Sequence, residues 1–162
     1  MKIREIKIKD VDLFVDFFRN SINNQFTEYS KKARDFFIKK EWNREKIKTS
    51  IKRSYVIFIL AFDKEKIIGY LIGSHHFGGI ASIMWVAVAD NYQGKGIGTK
   101  LIDKYISLLK KEGAHKVVLT VTIKDNIGFY EKLGFKVQYF SKKDYFGLDS
   151  YMMYKDIQKP KW

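Results

Sequence analysis

The chain has 162 residues, of which 46% are hydrophobic and 16% aromatic, and it carries a formal net charge of +13 and no cysteine. This length and composition predict a single domain over residues 1–162 and exclude disulfides and thiolate metal sites. No apolar run reaches the ~20 residues that a membrane span needs. The N-terminal MKIREIKIKD alternates apolar with charged residues, unlike a secretion signal. We therefore expect a cytoplasmic protein without membrane contact and without a metal site.

The first third of the chain predicts one strand and two helical regions. KIREIKI alternates with period two, which is typical of a strand. Asp10 can cap a helix over about residues 11–20, because a carboxylate there accepts hydrogen bonds from free backbone N–H groups. Ser30 can cap a second helical region that runs to about Arg53.

This second region contains a conflict in its hydrophobic pattern. On one continuous helix, Phe37 and Ile47 share a face, whereas Trp42 falls on the opposite side. Either the helix breaks near Trp42-Asn43, with Asn43 capping a second piece, or an exposed Trp42 marks a contact surface. We favour the break.

Three strands are expected next, at about residues 55–62, 66–77 and 80–89. The turn DKEK and the pair Gly78-Gly79 join them, so they should form an antiparallel meander. A glycine-rich stretch then leads into a helix to about Glu112, which Gly113 closes as a left-handed cap.

The last third of the chain completes the pattern. HKVVLTVTI predicts a strand, and DNIGFYEKLGF predicts a short helix that Gly134 ends. FKVQYF and SYMMYKDI predict two final strands. The element order indicates an α/β (α+β) fold with a mixed, mainly antiparallel sheet of about seven strands and about four flanking helices.

The glycine-rich stretch YQGKGIGTKL, residues 92–101, is the first candidate site. Helix N-termini bind anions through their unpaired N–H groups, and glycine lets a ligand approach the backbone closely. The dinucleotide pattern GxGxxG fails, because Thr99 stands where the third glycine belongs. The P-loop pattern fails too, because Thr99 precedes Lys100. A plain turn and another kind of phosphate loop both stay open.

Two flanking motifs decide between these alternatives. The preceding strand ends in MWVAVADN, the pattern Q-x-x-G-x-G occupies Gln93, Gly96 and Gly98, and FYEKLGF follows some thirty residues later. Together they resemble the GNAT superfamily of acyl-CoA-dependent N-acetyltransferases, most specifically over residues 83–135. The resemblance implies the GNAT fold and transfer of an acetyl group from acetyl-CoA to a primary amine by direct attack in a ternary complex.

The resemblance also implies cofactor contacts. In that family the loop holds the pyrophosphate of coenzyme A, and the strand before it pairs with the pantetheine arm where two strands splay apart. The residues implied are Val86, Ala87, Val88, Gln93, Gly94, Lys95, Gly96, Ile97, Gly98 and Thr99. All three glycines are expected to give the ligand access to the backbone.

Tyr130, the tyrosine of FYEKLGF, matches the general acid of the family. The alternative is a packed helix aromatic, since Tyr130 and Leu133 can share a buried face. Many family members carry a cofactor-binding asparagine seven residues before this tyrosine, where this chain has Ile123. We expect Asn126 to take over that contact, or the contact to be absent.

The general base is left open, because the two central strands carry no carboxylate before Asp90. His75 and His76 are candidates, but neighbouring strand residues face opposite sides, so at most one can reach a given cleft. Glu28 and a water chain are the other candidates.

The resemblance implies that the acceptor cleft is walled by SINNQFTEYS with the basic region after it, and by SKKDYFGLDS between the last two strands, and the acceptor class is predicted from charge. The basic residues of the second helical region could recruit an acidic peptide or protein, and like charge disfavours a polyamine; they are Lys31, Lys32, Lys39, Lys40, Arg44, Lys46 and Lys48. A nucleic-acid-binding module lacks support, because no zinc pattern or RNA-binding aromatic signature is present. A non-catalytic acyl-CoA sensor is a further alternative, and a homodimer is left open.

Overall fold

A computed structural model describes residues 1–161, and seven strands form one sheet in it, in the order β1-β2-β3-β4-β5-β7-β6. The strands are β1 (Lys2–Glu5), β2 (Val56–Asp63), β3 (Lys66–Ser74), β4 (Ile80–Val88), β5 (Lys116–Val121), β6 (Lys136–Ser141) and β7 (Ser150–Asp156). Only β4 and β5 pair in parallel within this sheet; the other neighbours are antiparallel. The expected mixed, mainly antiparallel sheet and the β2-β3-β4 meander are confirmed.

Five α-helices, rather than about four, flank this sheet among residues 1–161. They are α1 (Val11–Gln25), α2 (Lys31–Phe36), α3 (Arg44–Arg53), α4 (Ile97–Glu112) and α5 (Ile127–Lys132). Successive residues of β2 supply two separate cores, because strand side chains alternate between the faces of a sheet. Ile59 packs with Leu101 of α4, whereas Phe58 packs with Phe14 of α1 and Ile47 of α3.

The second helical region breaks where the hydrophobic pattern conflicts. A π-helical turn at Phe37–Glu41 follows α2, and Asn43 then caps α3, because its Oδ1 accepts a hydrogen bond from the Lys46 N–H at 3.0 Å. The break turns Trp42 inward, to 7% exposure. The predicted break is confirmed, and Trp42 is not an exposed contact residue.

Helix α1 differs from its prediction at both ends. The Asp10 carboxylate does not cap it; it accepts hydrogen bonds from Arg4 Nη1 at 2.7 Å and from the Lys7 N–H at 2.7 Å. The helix also runs to Gln25, five residues beyond Asn20. This extension brings Gln25 to the end of β4.

The sheet opens between its two parallel strands. The β4–β5 ladder runs from Ile80 paired with Lys116 to Ile83 paired with Leu119. Strand β4 continues to Val88 without a partner on β5, and a register shift interrupts its pairing with β3 near Gly73. Helices α4 and α5 both begin at this open end of the sheet, so the gap and two helix N-termini lie together.

Candidate active site

The loop between β4 and α4 uses its three glycines in two different ways. Gly94 and Gly96 have φ angles of 72° and 74°, a left-handed conformation that side chains disfavour. Gly96 is the N-cap of α4, and a Cβ added to either residue would meet no atom within 4 Å. This backbone is therefore open to a ligand at a helix N-terminus.

Gly98 contributes to packing. It lies in the first turn of α4, and an added Cβ would come within 3.2 Å of Cζ of Phe129 on α5. The expectation that all three glycines give a ligand access to the backbone stays a prediction, and for Gly98 the structure adds this packing role. Its missing side chain lets α5 approach α4.

A cavity of about 530 Å³, the loop cavity, lies between the glycine loop, β4 and α5. Of the residues that the sequence predicts to contact the cofactor, its lining contains Val86, Ala87, Val88, Gln93, Gly94, Gly96, Ile97, Gly98 and Asn126, together with the predicted acid Tyr130. The structure thus brings the predicted strand, loop and helix positions to one concave surface.

Lys95 and Thr99 are not among the lining residues. Lys95 Nζ donates a hydrogen bond to the Asn91 carbonyl at 2.9 Å and lies 5.1 Å from the Tyr92 ring centre. Thr99 is half-buried in the first turn of α4. Lys95 therefore braces the turn before the loop.

The main chain of β4 presents polar groups to the gap. The Ala89 N–H donates to the Ile68 carbonyl on the β3 side, and strand geometry alternates these directions. The N–H and C=O groups of Val86 and Val88 therefore face away from β3, whereas those of Ala87 face β3. An extended ligand can pair with both main-chain groups of Val86 and with the N–H of Val88, whose carbonyl already accepts from Gln25 and Gln93, while Ala87 contributes only its surface.

Gln25 and Gln93 hold the end of β4. Their Nε2 atoms both donate to the Val88 carbonyl, at 3.0 and 3.1 Å, and both donate to Asp90 Oδ1, at 2.6 and 3.2 Å. The glutamine of the Q-x-x-G-x-G motif thus fixes the strand-to-helix turn. Gln25, which is distant in sequence, donates to the same two acceptors as Gln93.

Tyr130 packs against neighbouring rings and also borders the loop cavity. Its ring packs edge-on against Phe129 and Phe135, with centroids 5.0 and 5.9 Å away. It also lines the loop cavity. Burial raises the pKa of Tyr130 to about 12, so the phenol keeps its proton at neutral pH.

A narrow passage of about 80 Å³ adjoins the loop cavity, and Tyr130, Asn126 and Glu28 line it. Thr122 Oγ1 donates a hydrogen bond to Oε1 of Glu28 at 3.2 Å. The other oxygen, Oε2, is shielded from solvent and has no hydrogen-bond partner among residues 1–161. Thr122 thus fixes the carboxylate of Glu28 at the wall of the passage.

The structure does not bring His75 and His76 to this site. Strand β3 ends at Ser74, so both lie beyond it. His75 Nδ1 lies 3.1 Å from both carboxylate oxygens of Glu112, and His76 Nε2 lies 2.9 Å from the Glu112 carbonyl. Glu112 is the last residue of α4, whereas the glycine loop lies just before its first residue. The whole length of α4 therefore separates these histidines from the loop cavity.

A second cavity, the aromatic cavity, has a volume of about 490 Å³ and shares lining residues with the passage, Trp85 and Thr122 among them. Its aromatic residues are Tyr29, Phe36, Phe37, Trp42, Trp85, Tyr145 and Phe146. Glu41 is the carboxylate in its lining, and Ser82, Thr120 and Thr122 supply hydroxyls. The passage therefore lies between the loop cavity and the mainly apolar aromatic cavity.

Sequence reasoning missed several lining residues of the loop cavity. They are Gln25, Phe26, Tyr92, Ile123 and Phe129. The polar run SINNQFTEYS is the one local signal for the first two, because such a run is atypical of a buried helix. Tyr92, Ile123 and Phe129 have no such signal, because their sequence context is typical of turn, strand or core residues.

Comparison with known proteins agrees with this geometry. Residues 15–135 match the model of the acetyltransferase (GNAT) family. An uncharacterized N-acetyltransferase of Methanocaldococcus jannaschii is 30% identical over 142 residues, and the match covers 83% of this chain but 60% of that relative's length. A spermidine N(1)-acetyltransferase of Thermoplasma acidophilum is 27% identical over 145 residues, 85% of this chain and 89% of that protein.

A solved structure extends the match to the fold. The PaiA N-acetyltransferase of Thermoplasma acidophilum, in complex with coenzyme A, is 26% identical and superposes with a TM-score of 0.82 over 96% of this chain and 98% of its own. Along residues 1–161, every helix is too short or too polar to cross a bilayer.

Proposed function

Because this chain belongs to the acetyltransferase (GNAT) family, we propose that it transfers the acetyl group of acetyl-CoA to a primary amine by direct attack in a ternary complex. The observation that carries the proposal is the passage, which has Glu28 and Tyr130 in its lining and shares lining residues with both the loop cavity and the aromatic cavity. An acyl donor on one side and an amine on the other would meet between a carboxylate and a phenol.

The residues of the loop cavity fit coenzyme A. Gly94 and Gly96 leave the backbone at the N-terminus of α4 open, and that end of a helix attracts phosphate through its N–H groups and dipole. Val86 and Val88 offer main-chain groups to an extended amide-bearing arm. When bound, acetyl-CoA supplies the activated thioester, and a backbone N–H of β4 can stabilise charge on its carbonyl oxygen.

Glu28 is the general base in this proposal. Its carboxylate lines the passage, where it can accept a proton from the acceptor ammonium, while the Thr122 hydroxyl donates a hydrogen bond to Oε1. The neutral amine would then attack the thioester carbonyl of acetyl-CoA, and the new C–N bond would replace the C–S bond. The remaining extra proton on nitrogen would pass to water, from which Tyr130 regains the proton that it gives to the sulfur. Glu28 thus fills the place that the sequence leaves open.

Tyr130 is the general acid. Its phenol is protonated at neutral pH, since burial raises its pKa to about 12, and it can deliver that proton to the departing thiolate. The net products are the N-acetylated amine, coenzyme A in its thiol form and one proton. Asn126, at the entrance of α5, lines both the loop cavity and the passage and can contact either substrate.

Release of free thiol from acetyl-CoA, followed with a panel of amines, tests the proposal. The panel contains alkylamines, arylalkylamines, spermidine, amino acids, and lysine and N-terminal peptides. Amine-dependent thiol release is expected, with Glu28→Gln strongly reduced. Thermal stabilisation by acetyl-CoA without thiol release on any amine would instead support the acyl-CoA sensor.

A further inference from the structure

We propose that the acceptor is a primary amine carried by a flat apolar body, of the arylalkylamine class, and that the aromatic cavity selects it. The inference rests on the proposed acetyl transfer, and it names the substrate class of that same site.

The wall of the aromatic cavity is built around Phe37. Its ring centroid lies 4.7 Å from Phe146, 4.9 Å from Trp85 and 5.2 Å from Tyr29, and each pair is T-shaped. Rings in such contacts give a rigid surface that can accept a further ring by stacking or by its edge. A cavity of about 490 Å³ is within the usual size of small-molecule pockets, which are mostly apolar with a few polar groups.

Phe146 closes this wall from the connection between β6 and β7. Its backbone is left-handed, with φ 57° and ψ 24°, a conformation that is strained for a bulky side chain. Its ring is 51% exposed yet lies 6.0 Å from Tyr29 and 5.9 Å from Phe36. Strain of this kind marks positions held for a function, and here it holds an aromatic side chain at the edge of the cavity.

The charge of the chamber disfavours an anionic acceptor. Glu41 lines the aromatic cavity and Glu28 lines the passage, and these are the two carboxylates in their linings. If Glu28 receives the reacting amine, the body of the acceptor lies among rings, where a carboxylate would be desolvated without a cation to pair with.

Three residues of the basic region are partly neutralised by carboxylates of α1 and α2. Lys31 Nζ lies 2.7 Å and Lys39 Nζ lies 3.7 Å from Asp35 Oδ2. Arg44 pairs with Asp12 at 2.9 Å. The apolar wall, rather than this surface charge, therefore decides the acceptor class, in contrast to the acidic acceptor that the sequence predicts.

The test compares kcat/KM for phenethylamine and tryptamine with that for butylamine, spermidine, an acidic peptide and a peptide with N-terminal phenylalanine. The two arylalkylamines are expected to exceed every other amine by more than tenfold. Phe146→Ala should raise KM for phenethylamine about tenfold and leave that for butylamine unchanged, because butylamine lacks the ring. Tyr139→Ala, an exposed aromatic on β6, is the matched control.

Two results separate the inference from the proposed function. Faster turnover of spermidine or of either peptide would overturn the arylalkylamine assignment and still support acetyl transfer. If no amine releases thiol, calorimetry measures whether phenethylamine binds to the wild type and to Phe146→Ala. Binding that Phe146→Ala weakens would support the aromatic cavity as an arylalkylamine site, and absence of binding would overturn it.

Discussion

The hydroxyl of Thr122 donates a hydrogen bond of 3.2 Å to the carboxylate of Glu28, although the two residues lie 94 positions apart. The bond ties the segment after α1 to the segment after β5, across the gap where β4 has lost its β5 partner. It leaves the second carboxylate oxygen buried and free of donors. Thr122 therefore acts as a positioning residue for Glu28.

Glu28→Gln should lower kcat/KM by on the order of 10²-fold or more, because a positioned general base contributes that much. The amide keeps the shape and the acceptor oxygen for Thr122 but cannot take a proton. Steady-state kinetics with the best amine measures the loss. Glu65→Gln, in the exposed turn between β2 and β3, is the matched control and should be neutral.

Thr122→Val separates positioning from proton transfer. The variant should lower kcat about tenfold or less, because Glu28 survives but loses its fixed orientation. Equal rates for wild type and Glu28→Gln over the whole pH range would remove Glu28 from the mechanism.

Tyr130→Phe should lower kcat by about 10²-fold while the dissociation constant of coenzyme A stays within roughly threefold of wild type. The phenol donates a proton, whereas the ring that packs on Phe129 and Phe135 is retained. Stopped-flow turnover and calorimetry give the two quantities. Tyr139→Phe on the exposed face of β6 serves as control. An unchanged kcat would show that Tyr130 has a packing role and does not act as the general acid.

The pH dependence gives an independent check on Tyr130. A free tyrosine ionises near pH ~10, but burial raises the pKa of Tyr130 to about 12, so its phenol stays protonated through that range. At about pH 10.5, wild type and Tyr130→Phe should therefore show the same tyrosinate absorbance. A clear deficit in Tyr130→Phe would mean that its pKa is ordinary.

The fold was predictable where the signals are local. Asn43 caps its own helix three residues on, Gly113 adopts φ 94° at the end of α4, and alternating runs mark the meander. These features depend on a few neighbouring residues, so a sequence displays them directly. The glycine loop and FYEKLGF were readable for the same reason.

The rest of the site depends on contacts between distant segments. Gln25 reaches Val88, and Glu28 reaches Thr122, and no periodicity records either contact. His75 is an instructive failure, since the apolar pattern extends the strand to residue 77, whereas β3 pairing stops at Ser74 and a separate hairpin turn begins. The central strands carry no glutamate, and Glu28, one of the candidate bases named from the sequence, lies on the segment between two helices.

Substitutions of Gly96 should rank by their tolerance of positive φ. At φ 74° an L-residue costs roughly 1–2 kcal/mol, asparagine costs less, and a β-branched residue costs more. We expect both stability and affinity for coenzyme A to fall in the order Gly, Asn, Ala, Val. Urea unfolding and calorimetry measure the two series. Gly128→Ala in α5, where an added Cβ meets nothing within 4 Å, is the control and should be neutral or stabilising.

Gln25 and Gln93 should behave as a redundant pair. Each donates to the Val88 carbonyl and to Asp90, so either single substitution to alanine leaves both acceptors one donor and should cost less than about 1 kcal/mol. The double variant strips both donors and should cost about 1–3 kcal/mol more than the two single changes together. Urea unfolding of the cycle, with exposed Gln138→Ala as control, measures the coupling free energy. Strict additivity would show that the two amides act separately, and the end of β4 would then owe its position to the main-chain bond from Ala89 to Ile68 alone.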